Sequence, residues 1–392
     1  MQPFVPPPYP YDRLAPIIET ANRHDGGAVE LSIGTPCDAP PPGVIEAMGH
    51  SGTERSYPAS IGSAAYRRAA AEWMQRRLGV TVPVGQIAAC VGTKEFVAGL
   101  PVLLRLRRPD LDTVLYPAVS YPSYAMGATL AGCRAVSVAC DDQFRIDLDS
   151  IDPADAARAL CLWVNTPGNP AGGLDDLNAV AAWGRSHGVP VFSDECYIEF
   201  TWAGERRTIL SSGSLSDTTA DAIADAMAGV VAVHSLSKRS NLAGARAGFY
   251  AGDAELITYL SEVRKHQGLM VPGPVQAAAI AAWSDDAHVD TQAAIYQGRL
   301  ERLISQLARL GIEATMPAGA FYLWVPAPDG DAWALANRLA EQVGMVVSPG
   351  EFYGDAASGF VRIAAVQPDS ALDLIDARID ALQLNAPIGA GR

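Results

Sequence analysis

Six short runs, at 86–91, 113–116, 135–139, 160–164, 190–193 and 229–234, are largely apolar, and helical stretches such as 64–78, 174–187 and 254–265 lie between them. A strand wet on one face alternates apolar and polar residues; a strand covered on both faces does not. Continuous apolar runs alternating with helices therefore require an α/β fold: a mostly parallel sheet with helices on both sides. Past about Val275 the order changes. A helical run at 275–310 leads into short strands at 313–315, 321–325, 345–347 and 360–365, with helices at 332–342 and 370–382. That order predicts a smaller α+β domain. A chain of 392 residues is too long for one core. The expected division is an N-terminal arm with part of the small domain at 1–30, a large domain at 31–274 and the small C-terminal domain at 275–392. The Pro/Tyr-rich start at 1–10 reads as an arm lying on another surface, 211–229 as a partly helical surface insertion, and 385–392 as a frayed tail.

Charge and composition exclude several functions. Acids outnumber bases 43 to 29, for a formal charge of −14. Such a chain is repelled by nucleic acid and by anionic membranes. No apolar stretch reaches the length of a membrane span. Residues 1–12 lack the basic start and apolar core of a signal peptide. Six scattered cysteines without a CxxC pair read as reduced thiols of a cytoplasmic protein. The six histidines lack metal-ligand spacing, so no metal is expected.

The chain has only three lysines, Lys94, Lys238 and Lys265, so any chemistry that needs a lysine amine must use one of them. Four features follow strand ends in order. Gly92-Thr93-Lys94-Glu95 opens a helix, where backbone N–H groups suit a phosphate, or where Thr93 is simply a cap. Asn165-Thr166-Pro167-Gly168-Asn169-Pro170 is a turn that can present the Asn169 amide at the carboxyl edge of the sheet. Asp194, in Ser193-Asp194-Glu195-Cys196-Tyr197, is either a helix cap or an acid facing the same edge. Ser235-Leu236-Ser237-Lys238 is followed eight positions on by Arg246: hydroxyls and an arginine around a lysine can hold a phosphate while the amine holds an aldehyde. A lysine, an acid for a ring nitrogen, hydrogen-bonding groups for a phenolic oxygen and a phosphate cradle are together what pyridoxal phosphate requires.

With these motifs and Phe360-Val361-Arg362-Ile363, the chain resembles the class I/II aminotransferases of the aspartate aminotransferase fold, fold type I of pyridoxal phosphate enzymes. The resemblance runs from about Leu14 to Leu382. Within the family it is most similar to actinobacterial N-succinyl-LL-diaminopimelate aminotransferases, through Leu31-Ser32-Ile33-Gly34-Thr35-Pro36 and Arg264-Lys265-His266-Gln267-Gly268-Leu269-Met270-Val271-Pro272. The resemblance implies pyridoxal 5′-phosphate as cofactor, in the large domain. Lys238 would form the Schiff base and move a proton between Cα and C4′. Asp194 would hold the ring nitrogen protonated, and Asn169 and Tyr197 would bond the phenolic oxygen. Thr93, Lys94, Ser235, Ser237 and Arg246 would hold the phosphate. Tyr121 would stack on the ring, with Tyr124 the lesser candidate. Tyr57 would reach the partner subunit's phosphate in a homodimer. Arg362 would pair with the substrate α-carboxylate, and Gly34 would let the N-terminal segment approach the substrate. Lys265, His266 and the arm are candidates for a distal carboxylate.

The implied reaction moves an amino group between glutamate/2-oxoglutarate and N-succinyl-2-amino-6-oxopimelate, in lysine and diaminopimelate biosynthesis. An aminotransferase of another amino acid, or a C–S lyase, is possible on the same scaffold because the cofactor carries the chemistry. A regulatory sensor would need an attached basic DNA-binding module, which this acidic chain lacks.

Overall fold

The computed structural model describes residues 3–211 and 226–384. Most of the 211–229 insertion and the 385–392 tail lie outside the described residues. By its contacts the chain divides into a larger unit, Asp38–Ile295 with Ala318–Ala320, and a smaller one, Met1–Cys37, Tyr296–Pro317 and Phe321–Arg392.

The larger unit is built on a seven-stranded sheet: β1 (Ile87–Cys90), β2 (Thr113–Pro117), β3 (Arg134–Val138), β4 (Ala159–Asn165), β5 (Val191–Asp194), β6 (Val230–Ser235) and β7 (Gly248–Gly252). Their order across the sheet is β1-β7-β6-β5-β4-β2-β3. All neighbours are parallel except β7, which runs antiparallel to β1 and β6. The class expected from the apolar runs is the one observed. The strand reading missed only β7 in this sheet, which has glycine at both ends. A Cβ at Gly248 would stand 2.5 Å from His234 O.

Continuous apolar strands follow from burial on both faces. In β4, Leu162 and Val164 join a core with Tyr66, Trp73, Met74 and Trp283, while Cys161 and Trp163 join the opposite core with Phe96, Leu100, Tyr124 and Tyr250. The covering helices start and stop on local chemistry. Ser63 Oγ accepts from Tyr66 N ahead of Ala64–Leu78, and Gly79 at φ 68° ends it in the left-handed region where a Cβ is penalised. Asp176 and Gly188 do the same for Leu177–His187. The helical run expected over 275–310 is two helices, Gly273–Ser284 and Ala287–Arg309, because Asp285 is extended at φ −113°, ψ 115° and its carboxylate accepts from Ala287 N. No strand forms at 313–315.

The smaller unit holds a three-stranded antiparallel sheet, Ser348–Pro349, Phe360–Ala364 and Tyr322–Pro326, and a parallel pair, Val29–Glu30 with Met345–Val346. The amphipathic helix Ala332–Val343 buries Leu335, Ala336, Leu339 and Ala340. Arg299, Arg302 and Arg309, one and then two turns apart along one helix, pair with Asp369, Asp373, Asp376 and Asp380 of helix Asp369–Leu384. No described helix is long and apolar enough to cross a membrane.

Candidate active site

The register places Asn165, Asp194 and Val233 side by side at the carboxyl ends of β4, β5 and β6. In an open α/β sheet this is the edge where ligands bind. Asp194 is 8% exposed. Its Oδ2 accepts from Tyr124 Oη at 3.0 Å and its Oδ1 from Cys196 N at 3.2 Å. Burial pushes the Asp194 carboxyl up, and those hydrogen bonds pull it partly back. A protonated ring nitrogen is the charge that such a buried carboxylate fits.

Lys238 lies on the helical turn Leu236–Arg239 that follows β6 directly. Ser235 Oγ caps this turn by accepting from Ser237 N at 3.1 Å. The Lys238 ammonium is close enough to Cys196 to oppose the burial and the Asp194 charge that raise the thiol pKa. The same thiol lies 3.2 Å from Thr93 Oγ1. Cys196 thus sits amid Thr93, Asp194 and Lys238, which come from three different strand ends.

Gly92 has φ 74°, and a Cβ there would overlap Arg246 Nη2 and stand 2.6 Å from its Cζ. The N-terminus of helix Thr93–Arg107 and the Arg246 guanidinium therefore share one small space, kept open by the missing side chain. Arg246 itself is in the left-handed region at φ 57°, with Nη1 donating to Ala243 O at 2.8 Å. Backbone N–H groups at a helix start beside a guanidinium suit a dianionic phosphate. The donor set fits pyridoxal phosphate: an amine, a buried acid and an anion cradle on one sheet edge.

Asn169 is 7% exposed, and its N–H donates to Asn165 Oδ1 at 2.7 Å. Asn165 Nδ2 donates to Asp194 O at 2.8 Å, so one asparagine ties the Asn169 turn to the Asp194 strand. Tyr197 is buried at the start of the turn Ile198–Phe200. Lys94 Nζ lies over the Tyr121 ring, 5.6 Å from its centroid. Thr93, Asp194 and Lys238 are brought together around Cys196, Arg246 faces the start of the Thr93 helix, Ser235 and Ser237 lie on the Lys238 turn, and 169, 197 and the 94–121 pair belong to the same unit. Tyr57 stands apart at 97% exposure.

Gly34 and Arg362 belong to the smaller unit. Arg362 is 2% exposed, with its guanidinium 4.2 Å from the Tyr322 ring centroid and 4.8 Å from that of Tyr353. Nη2 donates to Ser32 O and to Tyr11 Oη, the latter at 3.2 Å. A Cβ on Gly34 would overlap the Tyr322 hydroxyl. Lys265 is 62% exposed at a helix end and pairs with Glu262 at 3.5 Å, the geometry of a solvated helix terminus.

Sequence reasoning missed two residues. Asn165 ends a fully buried apolar strand, and a polar side chain there needs internal partners, which is a usable signal. The other is the Tyr124 hydroxyl, which reaches Asp194 from 70 residues away, and no local pattern shows that contact.

The family profile for class I and II aminotransferases matches residues 27–377. The 4-dedimethylamino-4-oxo-anhydrotetracycline transaminase OxyQ of Streptomyces rimosus is 39% identical over 95% of this chain and 99% of its own. The probable aminotransferase Rv1178 of Mycobacterium tuberculosis is 39% identical over 93% of this chain and 82% of its own. A solved structure of a probable N-succinyldiaminopimelate aminotransferase from Thermus thermophilus superposes with TM-score 0.81 at 28% identity, covering 95% of this chain and 99% of that one. The chain belongs to the class I and II aminotransferases, enzymes of the aspartate aminotransferase fold that use pyridoxal 5′-phosphate.

Proposed function

We propose that this aminotransferase exchanges an amino group between glutamate/2-oxoglutarate and N-succinyl-2-amino-6-oxopimelate, a step of lysine and diaminopimelate formation. One observation supports the reaction class above the others: Thr93, Asp194 and Lys238 converge on Cys196, beside the Gly92–Arg246 cradle. The substrate choice is supported by the likeness to the Thermus protein and by the motifs around Gly34 and 264–272.

Bound pyridoxal phosphate supplies an electron sink for the pair left when the substrate Cα loses its proton. The protein's own groups do the rest. Lys238 Nζ would hold the cofactor's aldehyde and would move the proton at the substrate Cα. Asp194, held by Tyr124 and Cys196, keeps the ring nitrogen protonated. Asn169 and Tyr197 donate to the phenolic oxygen. Thr93, Lys94, Ser235, Ser237 and Arg246 bind the phosphate, with Tyr121 against the ring. Arg362, packed against the Tyr322 and Tyr353 rings, takes the α-carboxylate as a planar fork. The active form is a homodimer in which exposed Tyr57 completes the partner's phosphate site.

The 39% identity to OxyQ favours a second reading, an aminotransferase whose acceptor is a bulkier ketone. The test is the visible absorbance of the cofactor-loaded enzyme mixed with N-succinyl-LL-diaminopimelate and no acceptor. Conversion to pyridoxamine phosphate supports the proposed substrate. An unchanged spectrum, with conversion by glutamate alone, excludes that substrate and leaves the bulkier ketone. Release of ammonia and pyruvate from a sulfur amino acid would instead mark a C–S lyase.

A further inference from the structure

Glu199 follows Tyr197 by two positions, and Arg239 follows Lys238 by one. Their side chains meet inside the larger unit: Arg239 Nε lies 3.2 Å from Glu199 Oε1, each side chain 2% exposed. Every nitrogen of Arg239 is engaged. Nη1 donates to Ala282 O at 2.6 Å and Ser240 Oγ at 3.2 Å, and Nη2 to Asp285 O at 3.2 Å and Asp286 Oδ1 at 3.1 Å. Ala282 and Asp285 lie at the C-terminus of helix Gly273–Ser284, where carbonyls lack partners within the helix. The guanidinium also packs on the rings of Trp73 and Trp283, 5.6 and 5.0 Å from their centroids. Glu199 is equally occupied: Oε1 accepts from Trp73 Nε1 at 2.8 Å and Oε2 from Arg77 Nη2 at 2.9 Å.

A four-residue helix such as Leu236–Arg239 cannot hold its own geometry, because so short a segment has hardly passed nucleation. Ile198–Phe200 is a single turn of the same kind. The first carries Lys238 and the second follows Tyr197 directly, and each is anchored by the same ion pair. A buried pair with all donors and acceptors satisfied adds little net stability, but it defines one geometry.

We propose that the Arg239–Glu199 pair is a positioning device that sets Lys238 and Tyr197 at one fixed separation, so that the amine and the phenol address the same cofactor ring. This rests on the pyridoxal phosphate reading of Lys238 and Tyr197. The pair touches neither cofactor nor substrate. It acts through the two turns.

The test uses the cofactor-loaded enzyme and the variants R239K, E199Q and Y197F. Lysine keeps the charge but has no fork, and glutamine keeps an acceptor for Trp73 but has no charge. Circular dichroism and thermal unfolding establish that each variant folds. E199Q, nearly isosteric, carries the test if R239K does not fold. The visible band of bound pyridoxal phosphate is then titrated with pH, Y197F giving the shift that follows loss of the phenol. In R239K and E199Q the midpoint should move in the direction seen for Y197F, by about half a unit or more. The kcat should fall roughly tenfold, with KM changed less than about threefold. A lowered Tm with an unmoved midpoint and unchanged kcat would overturn the proposal and leave the pair structural only. If the wild-type protein binds no pyridoxal phosphate, or Lys238→Ala keeps the same pH-dependent band, the reading of Lys238 fails and the proposal fails with it.

Discussion

Gly92 and Arg246 approach so closely that no side chain fits between them: a Cβ on Gly92 would overlap the guanidinium and stand 2.6 Å from Arg246 Cζ. The helix start and the guanidinium therefore face one anion-sized space, although 154 positions separate them in the chain.

Gly92→Ala should fill this space and also strain a backbone held at φ 74°. The expected result is a folded protein with weakened pyridoxal phosphate binding, the dissociation constant rising roughly tenfold or more. Fluorescence titration of the apoenzyme measures it. An unchanged constant would remove the cradle from the phosphate's path.

Tyr124→Phe deletes one buried hydrogen bond to Asp194 and nothing else of its shape. Loss of such a bond to a charged group costs about 1.5–3 kcal/mol in stability. Urea unfolding should read that loss, and kcat should fall with little change in KM, because Asp194 serves the ring rather than the substrate. A stacking role for Tyr124 would leave the unfolding curve nearly unmoved.

Glu195 and His234 form a fully buried pair 3.4 Å apart, on adjacent strand ends. Burial pushes the Glu195 carboxyl up to about 8 from 4.5, and pushes His234 down to about 3 from 6.5. Between pH 6.5 and 8 the folded state retains a proton on Glu195 that the unfolded chain has lost, so stability should decline as pH rises through that window. Below pH 4.5 the unfolded chain protonates His234 while the folded protein does not until about pH 3, so stability should also decline as pH falls. Between pH 4.5 and 6.5 the two effects oppose. Chemical denaturation across pH 4–8.5 measures the profile, and Glu195→Gln should remove the loss between about pH 7 and 8 while sparing the acid side; below pH 7 the buried Asp175, raised to about 7, adds to the decline with rising pH.

Arg362→Lys retains the charge but replaces a planar fork, packed between the Tyr322 and Tyr353 rings, with a single ammonium. We expect kcat/KM to fall roughly 10–100-fold for both the amino donor and the oxo acceptor, since both carry an α-carboxylate. Steady-state kinetics with each substrate varied in turn would show it. A loss confined to one substrate would move the α-carboxylate elsewhere.

If Tyr57 completes the partner's site, two inactive variants should rescue each other. Mixing Lys238→Ala with Tyr57→Ala subunits under exchange conditions should recover up to about a quarter of wild-type activity, by forming one intact site in each mixed dimer. No recovery, with exchange verified by native mass spectrometry, would confine each site to one chain.

Much was legible in the sequence because strand burial and strand ends leave local marks. Uninterrupted apolar runs forced the two-faced sheet, and three lysines narrowed the search for an amine to a short list. The turns after β4, β5 and β6 announced themselves by Asn, Pro, Asp and Ser at the ends of apolar runs. Tertiary structure alone decided which of these groups meet. Tyr124 reaches Asp194 across 70 residues, Arg246 lies against Gly92, and Glu199 grips Arg239 across 40. Those contacts depend on sheet order, with β5 and β6 between β4 and β7, an order that joins strands far apart in the chain. A local pattern reports whether a residue is buried. It does not report what the residue is buried against.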